Sequence, residues 1–331
     1  MDKIKVGIVG YGTIGSRVAA AVLKQPDMAL VGITAFSHNY RIAEAAKRSI
    51  PIYSFVDNAQ FPVPIKGTLK DLCKASDIIV DCSPKKCGAE NKEKYYAPWG
   101  VKTIFQGGEK AKVTQCSFNA QCNFDEAKEK QFVRVVSCNT TGLARTIMSL
   151  MPLGIESVRT VLIRRAADPN DSCKGPINAI KPEMKDIPSH HGPDVKTVIP
   201  SLEIFSMAVA VPTTLMHLHS LDITFIAEPA LADVIALLEK NPRLVLIDDD
   251  MQIPTTAELM DWARIRGNSD LMQIAIWRKG IGVSGREAYL FQAVHQESDV
   301  VPENIDCIRA MLGTMGKEQS MAVTDKTLGL K

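Results

Sequence analysis

Cys138 is the residue of this sequence best placed to act as a nucleophile. It lies in the run Ser137-Cys138-Asn139-Thr140-Thr141-Gly142, directly after the apolar residues 132–136, and this order predicts a strand that leads into a helix capped by Asn139 or Thr140. The N–H groups and the positive dipole end of such a helix favour thiolate over thiol, so the pattern predicts a lowered pKa for Cys138. The same N–H groups could hold an oxyanion. The alternative is a buried cysteine that serves as a small apolar side chain.

A glycine-rich turn near the N-terminus indicates a dinucleotide site. The apolar residues 4–9 are followed by Gly10-Tyr11-Gly12-Thr13-Ile14-Gly15 and then by apolar residues at helical spacing. Gly10 permits the tight turn, Gly12 lets the backbone approach a pyrophosphate, and Gly15 lets the helix pack on the strand. The phosphates rest on the helix N-terminus. The cofactor predicted from this order is NAD or NADP.

The end of the second predicted strand, residues 29–34, bears on the choice between these cofactors. An acidic residue there would bind the ribose 2′-hydroxyl of NAD, but the strand is followed by Ala35 and Phe36. His38 and Arg41 come next and could accept the 2′-phosphate of NADP, or they belong to a solvated loop. The sequence leaves the preference open.

The composition is that of an ordinary globular enzyme. The chain has 331 residues, enough for about two domains, and 46% of them are hydrophobic. The net charge of +2 argues against a nucleic-acid or membrane partner. The first residues have no signal-peptide pattern, and no apolar stretch reaches the ~18 residues that a transmembrane helix needs. We therefore expect a cytoplasmic protein.

Eight cysteines are scattered along the chain. The close pairs, Cys82 with Cys87 and Cys116 with Cys122, lack the spacing of metal ligands, so no metal site is predicted. A metal or redox pair at these positions is the alternative. A chain of this length needs no disulfide framework.

The order of predicted elements changes at Cys138. Before it, strands such as residues 78–81 and 101–105 alternate with helices, as in a doubly wound sheet. After it, long strands are separated by two helices, residues 229–240 and 255–266. The strands of this second part are predicted at residues 158–165, 207–211, 217–225, 243–247, 271–277 and 288–294.

The predicted fold class is α/β, with an N-terminal Rossmann-type doubly wound domain and a mixed or antiparallel α+β catalytic domain. The dinucleotide-binding domain is predicted at residues 1–137, joined by the C-terminal helix in residues 302–331. The catalytic, substrate-binding domain is predicted at residues 138–301.

Histidines are concentrated in the second part. His190 and His191 lie in a predicted loop, and His217 and His219 face the same side of a predicted strand, where one of them is expected to be structural. A nicotinamide site, a polarised thiol and a histidine base together suggest oxidation of an aldehyde through a thioester.

Eight segments in order carry a resemblance to the archaeal type of glyceraldehyde-3-phosphate dehydrogenase. They span the whole chain, so the likeness does not rest on one motif. The segments are Gly10-Tyr11-Gly12-Thr13-Ile14-Gly15, Phe105-Gln106-Gly107-Gly108-Glu109-Lys110, Ser137-Cys138-Asn139-Thr140-Thr141-Gly142-Leu143, Arg164-Arg165-Ala166-Ala167-Asp168, Lys174-Gly175-Pro176-Ile177-Asn178, Pro188-Ser189-His190-His191, Pro212-Thr213-Thr214-Leu215-Met216-His217 and His295-Gln296-Glu297-Ser298.

The resemblance implies reversible, phosphorylating, NAD(P)-dependent oxidation of D-glyceraldehyde 3-phosphate to 1,3-bisphosphoglycerate, in glycolysis and gluconeogenesis, by a homotetramer. It makes Cys138 the nucleophile, His217 the base and His219 the structural or supporting histidine. The residues implied to contact the substrate are Ser137, Asn139, His190 and His191, with Thr140 a candidate for inorganic phosphate. The residues implied to line the dinucleotide are Thr13, Ile14, Gly108, Arg165 and Gln296, with Gln296 near the nicotinamide.

Many relatives carry a lysine where this chain has Ala35, so the resemblance does not fix the cofactor.

Two other functions remain open on the sequence. A semialdehyde or acyl-phosphate reductase of the same architecture would also use a cysteine thioester. A non-catalytic NAD(P)-binding redox sensor would bind cofactor without turnover.

Overall fold

The computed structural model describes residues 2–56, 61–106, 108–167, 175–185 and 187–330. Gly107, Asp168 and Lys174, which belong to the motifs of the resemblance, lie outside the described residues. The chain divides into two compact units, Met1–Ser137 with Val300–Gly329, and Cys138–Asp299 with Leu330–Lys331. None of the helices in the described ranges has the length and apolar character that crossing a membrane requires.

The first unit alternates strands and helices, as the sequence predicts. Its elements before residue 138 are β1 (Ile4–Val9), α1 (Thr13–Lys24), β2 (Met28–Ala35), α2 (Tyr40–Lys47), β3 (Ile52–Ser54), β4 (Gly67–Thr68), α3 (Leu69–Ala75), β5 (Ile78–Asp81), α4 (Cys87–Asn91), β6 (Thr103–Phe105), β7 (Cys116–Phe118), α5 (Ala120–Asn123) and β8 (Phe132–Val135).

The strands of this unit form sheet A, in the order β4-β3-β2-β1-β5-β6-β8-β7. Its described pairings are all parallel. The central strands β1 and β5 are almost entirely buried apolar residues, because a parallel sheet covered on both faces has no solvent side. The strand order reverses between β1 and β5, and such a switch point opens the crevice in which nucleotides bind. The Rossmann-type prediction is confirmed.

The second unit is built on longer strands. Its elements are α6 (Cys138–Leu150), β9 (Ile155–Arg165), β10 (Lys181–Pro182), α7 (His191–Lys196), β11 (Ile204–Val211), β12 (His217–Phe225), α8 (Leu231–Glu239), β13 (Leu244–Ile247), α9 (Thr256–Ile265), β14 (Ile274–Trp277), β15 (Gly282–Ser284) and β16 (Glu287–Val294). Two more helices, α10 (Val301–Leu312) and α11 (Lys317–Leu328), follow in the chain and belong to the first unit.

The strands of the second unit form sheet B, in the order β10-β11-β9-β12-β16-β14-β13, with β15 paired to β16. Strands β9 and β11 are parallel, whereas β12 is antiparallel to both β9 and β16. The predicted mixed sheet is therefore confirmed. Residues of β12 alternate between buried and partly exposed, which gives sheet B one core face and one outer face.

Helix α6 covers the core face of sheet B at close range. A Cβ atom on Gly142 would lie 2.8 Å from Val294 Cγ2 and 3.4 Å from Gln292 Nε2, so only glycine fits at this crossing without a shift. Gln292 stands directly opposite His219 in the pairing of β16 with β12. The helix that begins with Cys138 is thereby fixed against these two polar side chains.

Three local predictions are wrong. The helix at Cys138 starts at Cys138 itself, so Asn139 and Thr140 lie in its first turn and do not cap it. The predicted loop at His190 and His191 leads directly into a helix, α7, with Pro193 in the first turn, where proline costs no hydrogen bond. The last segment forms two helices rather than one, because Gly313, with φ +63°, ends α10.

Buried Arg309 ties helices α10 and α11 to the turn between α1 and β2. Its guanidinium donates to both carboxylate oxygens of Asp27 at 2.7 and 2.9 Å, to Gln25 Oε1 at 2.8 Å and to Thr324 Oγ1 at 2.7 Å. The Arg309 side chain is fully buried, whereas that of Asp27 is 23% exposed. The guanidinium beside it lowers the pKa of Asp27 against the opposing effect of burial.

We expect Arg309→Ala to lower the free energy of unfolding of this protein by about 3 to 5 kcal/mol, because it leaves buried acceptors and a carboxylate without their cation. Urea unfolding followed by circular dichroism measures the change. The matched control is Arg264→Ala in α9, where the side chain is exposed and the expected change is within about 0.5 kcal/mol. Equal effects of the two variants would contradict this account.

Candidate active site

The thiol of Cys138 lies at the first residue of α6. Burial raises its pKa above the ordinary value, and the carboxylate of Asp299 raises it further. The guanidinium of Arg165, the backbone N–H of Asn139 and the guanidinium of Arg164 act in the opposite direction. The predicted lowered pKa is therefore wrong for this structure, because desolvation outweighs the helix dipole and the two cations.

His217 is the first residue of β12 and is buried. The backbone N–H of Arg165 donates to His217 Nδ1 at 3.1 Å. A neutral imidazole that accepts at Nδ1 carries its proton on Nε2, so the free nitrogen of this ring is a donor. Burial holds the pKa of His217 well below its usual range, and His219, Arg164 and Arg165 lower it further. The ring is therefore neutral at physiological pH.

His219 lies two residues along the same strand and faces α6. Its Nε2 is 2.9 Å from Asn139 Oδ1, and Gln292 Nε2 is 3.1 Å from its Nδ1. Burial lowers the pKa of His219 to about 3, assisted by Arg164. Both ring nitrogens therefore have neutral hydrogen-bond partners, as expected of a histidine that supports its neighbours.

The predicted substrate residues form a group around the first turns of α6 and α7. Asn139 Nδ2 is 3.4 Å from His191 Nε2, and Ser189 Oγ is 2.8 Å from His191 Nδ1. The Thr140 hydroxyl donates to Asp194 Oδ2 at 2.5 Å. Burial lowers the pKa of His191 to about 2, and His190 and Arg164 lower it further.

The two other predicted substrate residues are more accessible. The exposed ring of His190 stacks on that of His191, with 4.1 Å between their centroids. Ser137, directly before Cys138, is partly exposed. Glu183 comes within reach of both histidines, but it forms an ion pair with Arg164. A guanidinium thus already neutralises the only carboxylate that could join these histidines around a metal in the described part of the chain.

Arg165 and Gln296, predicted to contact the dinucleotide, are neighbours in the second unit. Arg165 Nη1 forms an ion pair with Glu297 Oε1 at 2.5 Å, and both side chains are about 95% buried. The Gln296 amide oxygen is best oriented towards the same guanidinium. Glu297 also lies 3.3 Å from His295 Nε2. These contacts hold the side chain of Arg165 in place, and the backbone N–H of the same residue donates to His217.

The glycine-rich turn fits a dinucleotide phosphate. Gly10 has φ +83°, and a Cβ there would lie 2.8 Å from the backbone of Cys82 and Ser83. A Cβ on Gly15 would lie 2.0 Å from Gly10 O, whereas one on Gly12 would meet open space. The two tight glycines therefore hold the turn, and the open one leaves room for a ligand.

The helix that follows the turn can bind an anion. Its first residues are Thr13 and Ile14, and no side chain caps its N-terminus at Gly12. The backbone N–H groups and the positive dipole end at the start of a helix attract phosphate oxygens. Gly108, with φ +80°, also borders open space.

Arg41 is a basic residue beside this turn, as is Arg17, whose Nη1 donates to Thr13 O. Arg41 Nη2 lies 3.4 Å from Thr13 Oγ1, and its guanidinium lies over the Tyr40 ring, 4.7 Å from the centroid. Asn39 caps α2 by accepting from the Arg41 N–H, which fixes the start of that helix. His38 is exposed, and Ala35 ends β2 as a buried residue.

Sequence reasoning missed Gln292, Asp299 and Asp194. Gln292 carried a detectable signal, because it falls on the same parity of β16 as Ala288, Leu290 and Val294, a face otherwise apolar. A polar residue at a core position of a strand needs a partner. Asp194 and Asp299 carried no comparable signal, since their roles depend on contacts distant in sequence.

Comparison with known proteins agrees with this arrangement. The family model of the C-terminal domain of glyceraldehyde 3-phosphate dehydrogenase matches residues 137–270, and the model of the N-terminus of dihydrodipicolinate reductase matches residues 4–107. Glyceraldehyde-3-phosphate dehydrogenase of Archaeoglobus fulgidus is 48% identical over 100% of this chain and 99% of its own length. The chain belongs to the glyceraldehyde-3-phosphate dehydrogenase family.

Two further relatives support the same membership. The glyceraldehyde-3-phosphate dehydrogenase of Thermococcus kodakarensis is 50% identical over 99% of both chains. That of Pyrobaculum calidifontis is 46% identical over 99% of this chain and 97% of its own length. The likeness to this family therefore extends over both units.

We expect alkylation of Cys138 by iodoacetamide to be slow at neutral pH and to rise about tenfold per pH unit beyond pH 9, the ordinary value for a thiol, because only the thiolate reacts. Asp299→Asn removes a charge that raises the pKa of the thiol, so it should speed alkylation at any pH below that pKa. Peptide mass spectrometry measures the rate at Cys138.

The control for this experiment is Asp222→Asn, on the other face of sheet B, which should leave the rate unchanged. A wild-type rate that reaches its plateau below pH 8 would show a lowered thiol pKa and contradict the electrostatics described for this site.

Proposed function

We propose that this protein is an NAD(P)-dependent phosphorylating glyceraldehyde-3-phosphate dehydrogenase, which oxidises D-glyceraldehyde 3-phosphate to 1,3-bisphosphoglycerate reversibly through a thioester on Cys138. The observation that carries the proposal is the place of Cys138 as the first residue of α6, in the same unit as His217, whose Nδ1 accepts from the Arg165 amide. Family membership over the full chain supports the substrate.

The dinucleotide would be held by Gly10, Gly12 and Gly15 together with the first-turn N–H groups of Thr13 and Ile14. When bound, its nicotinamide accepts the two electrons that leave the aldehyde carbon. Contacts from Gly108, Arg165 and Gln296 remain predictions. Arg41, beside Thr13, is the residue best placed to meet a 2′-phosphate, so either NAD or NADP fits.

Loss of the Cys138 thiol proton to solvent gives the thiolate, which attacks the aldehyde carbon, and the carbonyl oxygen takes up the negative charge. Arg164 and Arg165 stabilise the thiolate, which the raised pKa of the thiol makes scarce at rest. Loss of hydride from the resulting alkoxide leaves a thioester. Inorganic phosphate then attacks the thioester carbonyl, and departure of the thiolate releases the acyl phosphate.

His217 is assigned here the role of a hydrogen-bond donor to the substrate oxygen. The resting ring has its Nδ1 lone pair engaged by the Arg165 N–H and its proton on Nε2, so it has no free lone pair with which to act as the predicted base. Its lowered pKa further disfavours proton uptake. A neutral imidazole N–H can polarise the aldehyde and stabilise the alkoxide without taking a proton.

Ser137, Asn139, His190 and His191 are proposed to contact the substrate, and Thr140 the inorganic phosphate. These residues are supported by their position around the first turns of α6 and α7. Arg164, which pairs with Glu183, is a cation close enough to this group to lower the pKa of His191. The dinucleotide-binding role of the first unit and the catalytic role of the second follow from the motifs that each contains.

We also propose a cytoplasmic homotetramer. Support for self-association comes from the outer face of sheet B, where two rows of side chains lie in register. Its exposed apolar members are Val161, Phe205, Met207, Tyr289 and Phe291. These apolar side chains flank Arg159, Asp222 and Ser220 on the same face, and a mixed surface with exposed large apolar residues is typical of an interface between protein chains.

We expect rapid reduction of the nicotinamide with glyceraldehyde 3-phosphate only when inorganic phosphate is present. Initial rates with NAD and NADP, measured separately by absorbance, test this and give the preference. Cys138→Ser should abolish turnover yet keep cofactor binding, because a hydroxyl is far less readily ionised than a thiol. Turnover with a semialdehyde alone would indicate the reductase alternative, and cofactor binding without any turnover would indicate a redox sensor.

The role of His217 is tested by two variants at that position. The amide of Gln can donate where Nε2–H does but cannot act as a base, so we expect His217→Gln to keep kcat within about tenfold. His217→Ala removes the donor and should lower kcat by about 10²–10³. Circular dichroism checks folding in both. Equal losses in the two variants would instead identify His217 as the base.

A further inference from the structure

We propose that Gln292 is a positioning residue, which fixes the proton on His219. Through Asn139 it also fixes the orientation of the His191 ring, which the proposed function assigns to substrate binding. Only the kinetic consequence of this inference depends on the proposed function. The structural part concerns a chain of hydrogen bonds within the second unit.

The chain of hydrogen bonds begins in α6, passes over the neighbouring strands β16 and β12 of sheet B, and returns to α6. Thr146 Oγ1 donates to Gln292 Oε1 at 2.5 Å, which turns the Gln292 amino group towards His219 Nδ1, 3.1 Å away. Thr146, Gln292 and His219 are all fully buried. A donor at Nδ1 places the proton of the neutral His219 ring on Nε2.

The same polarity continues beyond His219. Its Nε2–H donates to Asn139 Oδ1 at 2.9 Å, so the Asn139 amino group faces His191 Nε2 at 3.4 Å. His191 is then protonated on Nδ1, which donates to Ser189 Oγ at 2.8 Å. Reversing one amide would place two donors or two acceptors face to face at its neighbour, so the links share one direction.

Nothing in the packing of β16 requires an amide at position 292. The residues on the same side of the strand are Ala288, Leu290 and Val294, and an apolar side chain would suit that surrounding better. Asn139, whose amide is oriented by this chain of hydrogen bonds, directly follows Cys138. The position of Gln292 thus links a core strand to the residues proposed to hold the substrate.

Two near-isosteric variants separate this role from ordinary packing. Gln292→Met keeps the volume but neither donates nor accepts as an amide does. The ionised carboxylate of Gln292→Glu, present above the pKa of that group, offers acceptors only and should move the His219 proton to Nδ1. The control is Leu290→Met, a buried change on the same side of β16 at a side chain that can neither donate nor accept a hydrogen bond.

The first readout is the ¹⁵N NMR spectrum of histidine-labelled protein, which distinguishes protonated from unprotonated ring nitrogens. We expect His219 to be protonated on Nε2 in the wild type and on Nδ1 in Gln292→Glu. An unchanged His219 in folded Gln292→Glu would overturn the proposal. This measurement needs no substrate, so it stands apart from any failure of the proposed function.

The second readout is steady-state kinetics with glyceraldehyde 3-phosphate. In Gln292→Met we expect KM to rise about tenfold, the effect of roughly one lost hydrogen bond, with the alkylation rate of Cys138 within twofold of the wild type. Leu290→Met should leave KM unchanged. An unchanged KM in folded Gln292→Met, or an equal rise in Leu290→Met, would overturn the positioning role.

Discussion

The close approach of helix α6 to the core face of sheet B is the constraint on which the candidate site depends. At Gly142 there is no room for a Cβ beside the Val294 side chain, so the helix lies closer to the sheet than a larger residue at this position would allow. This distance brings Asn139 within 2.9 Å of His219 and sets Cys138 at the start of the same helix. A larger residue at position 142 would move the thiol and the amide together.

Burial disfavours a charge on each of the two reactive groups, the Cys138 thiol and the His217 imidazole. Burial raises the pKa of Cys138 and lowers that of His217, so the structure does not describe a thiolate and imidazolium pair. Arg164 and Arg165 oppose a second cation on the histidine while they favour an anion on the sulfur.

The sequence predicted the architecture well, because periodicity and turn residues are local properties. The alternation of β12 and the glycine turn at Gly10 are both confirmed in outline. Burial depends on residues distant in sequence, and this is why the pKa of Cys138 was predicted in the wrong direction. Helix α11 was not predicted as a separate helix because its few apolar residues form no clear stripe, and its buried Thr324 is held by Asp306 and Arg309.

The polar groups on the core face of sheet B explain one another only as a set. A buried histidine with one unpaired nitrogen would be costly, and so would a buried amide that faces a like group. Thr146, Gln292, His219 and Asn139 avoid both costs because each donor meets an acceptor in one direction along the chain. Thr146 lies eight residues after the thiol in the same helix. Through this chain, its hydroxyl helps to determine that the amino group of the Asn139 amide, and not its oxygen, faces His191.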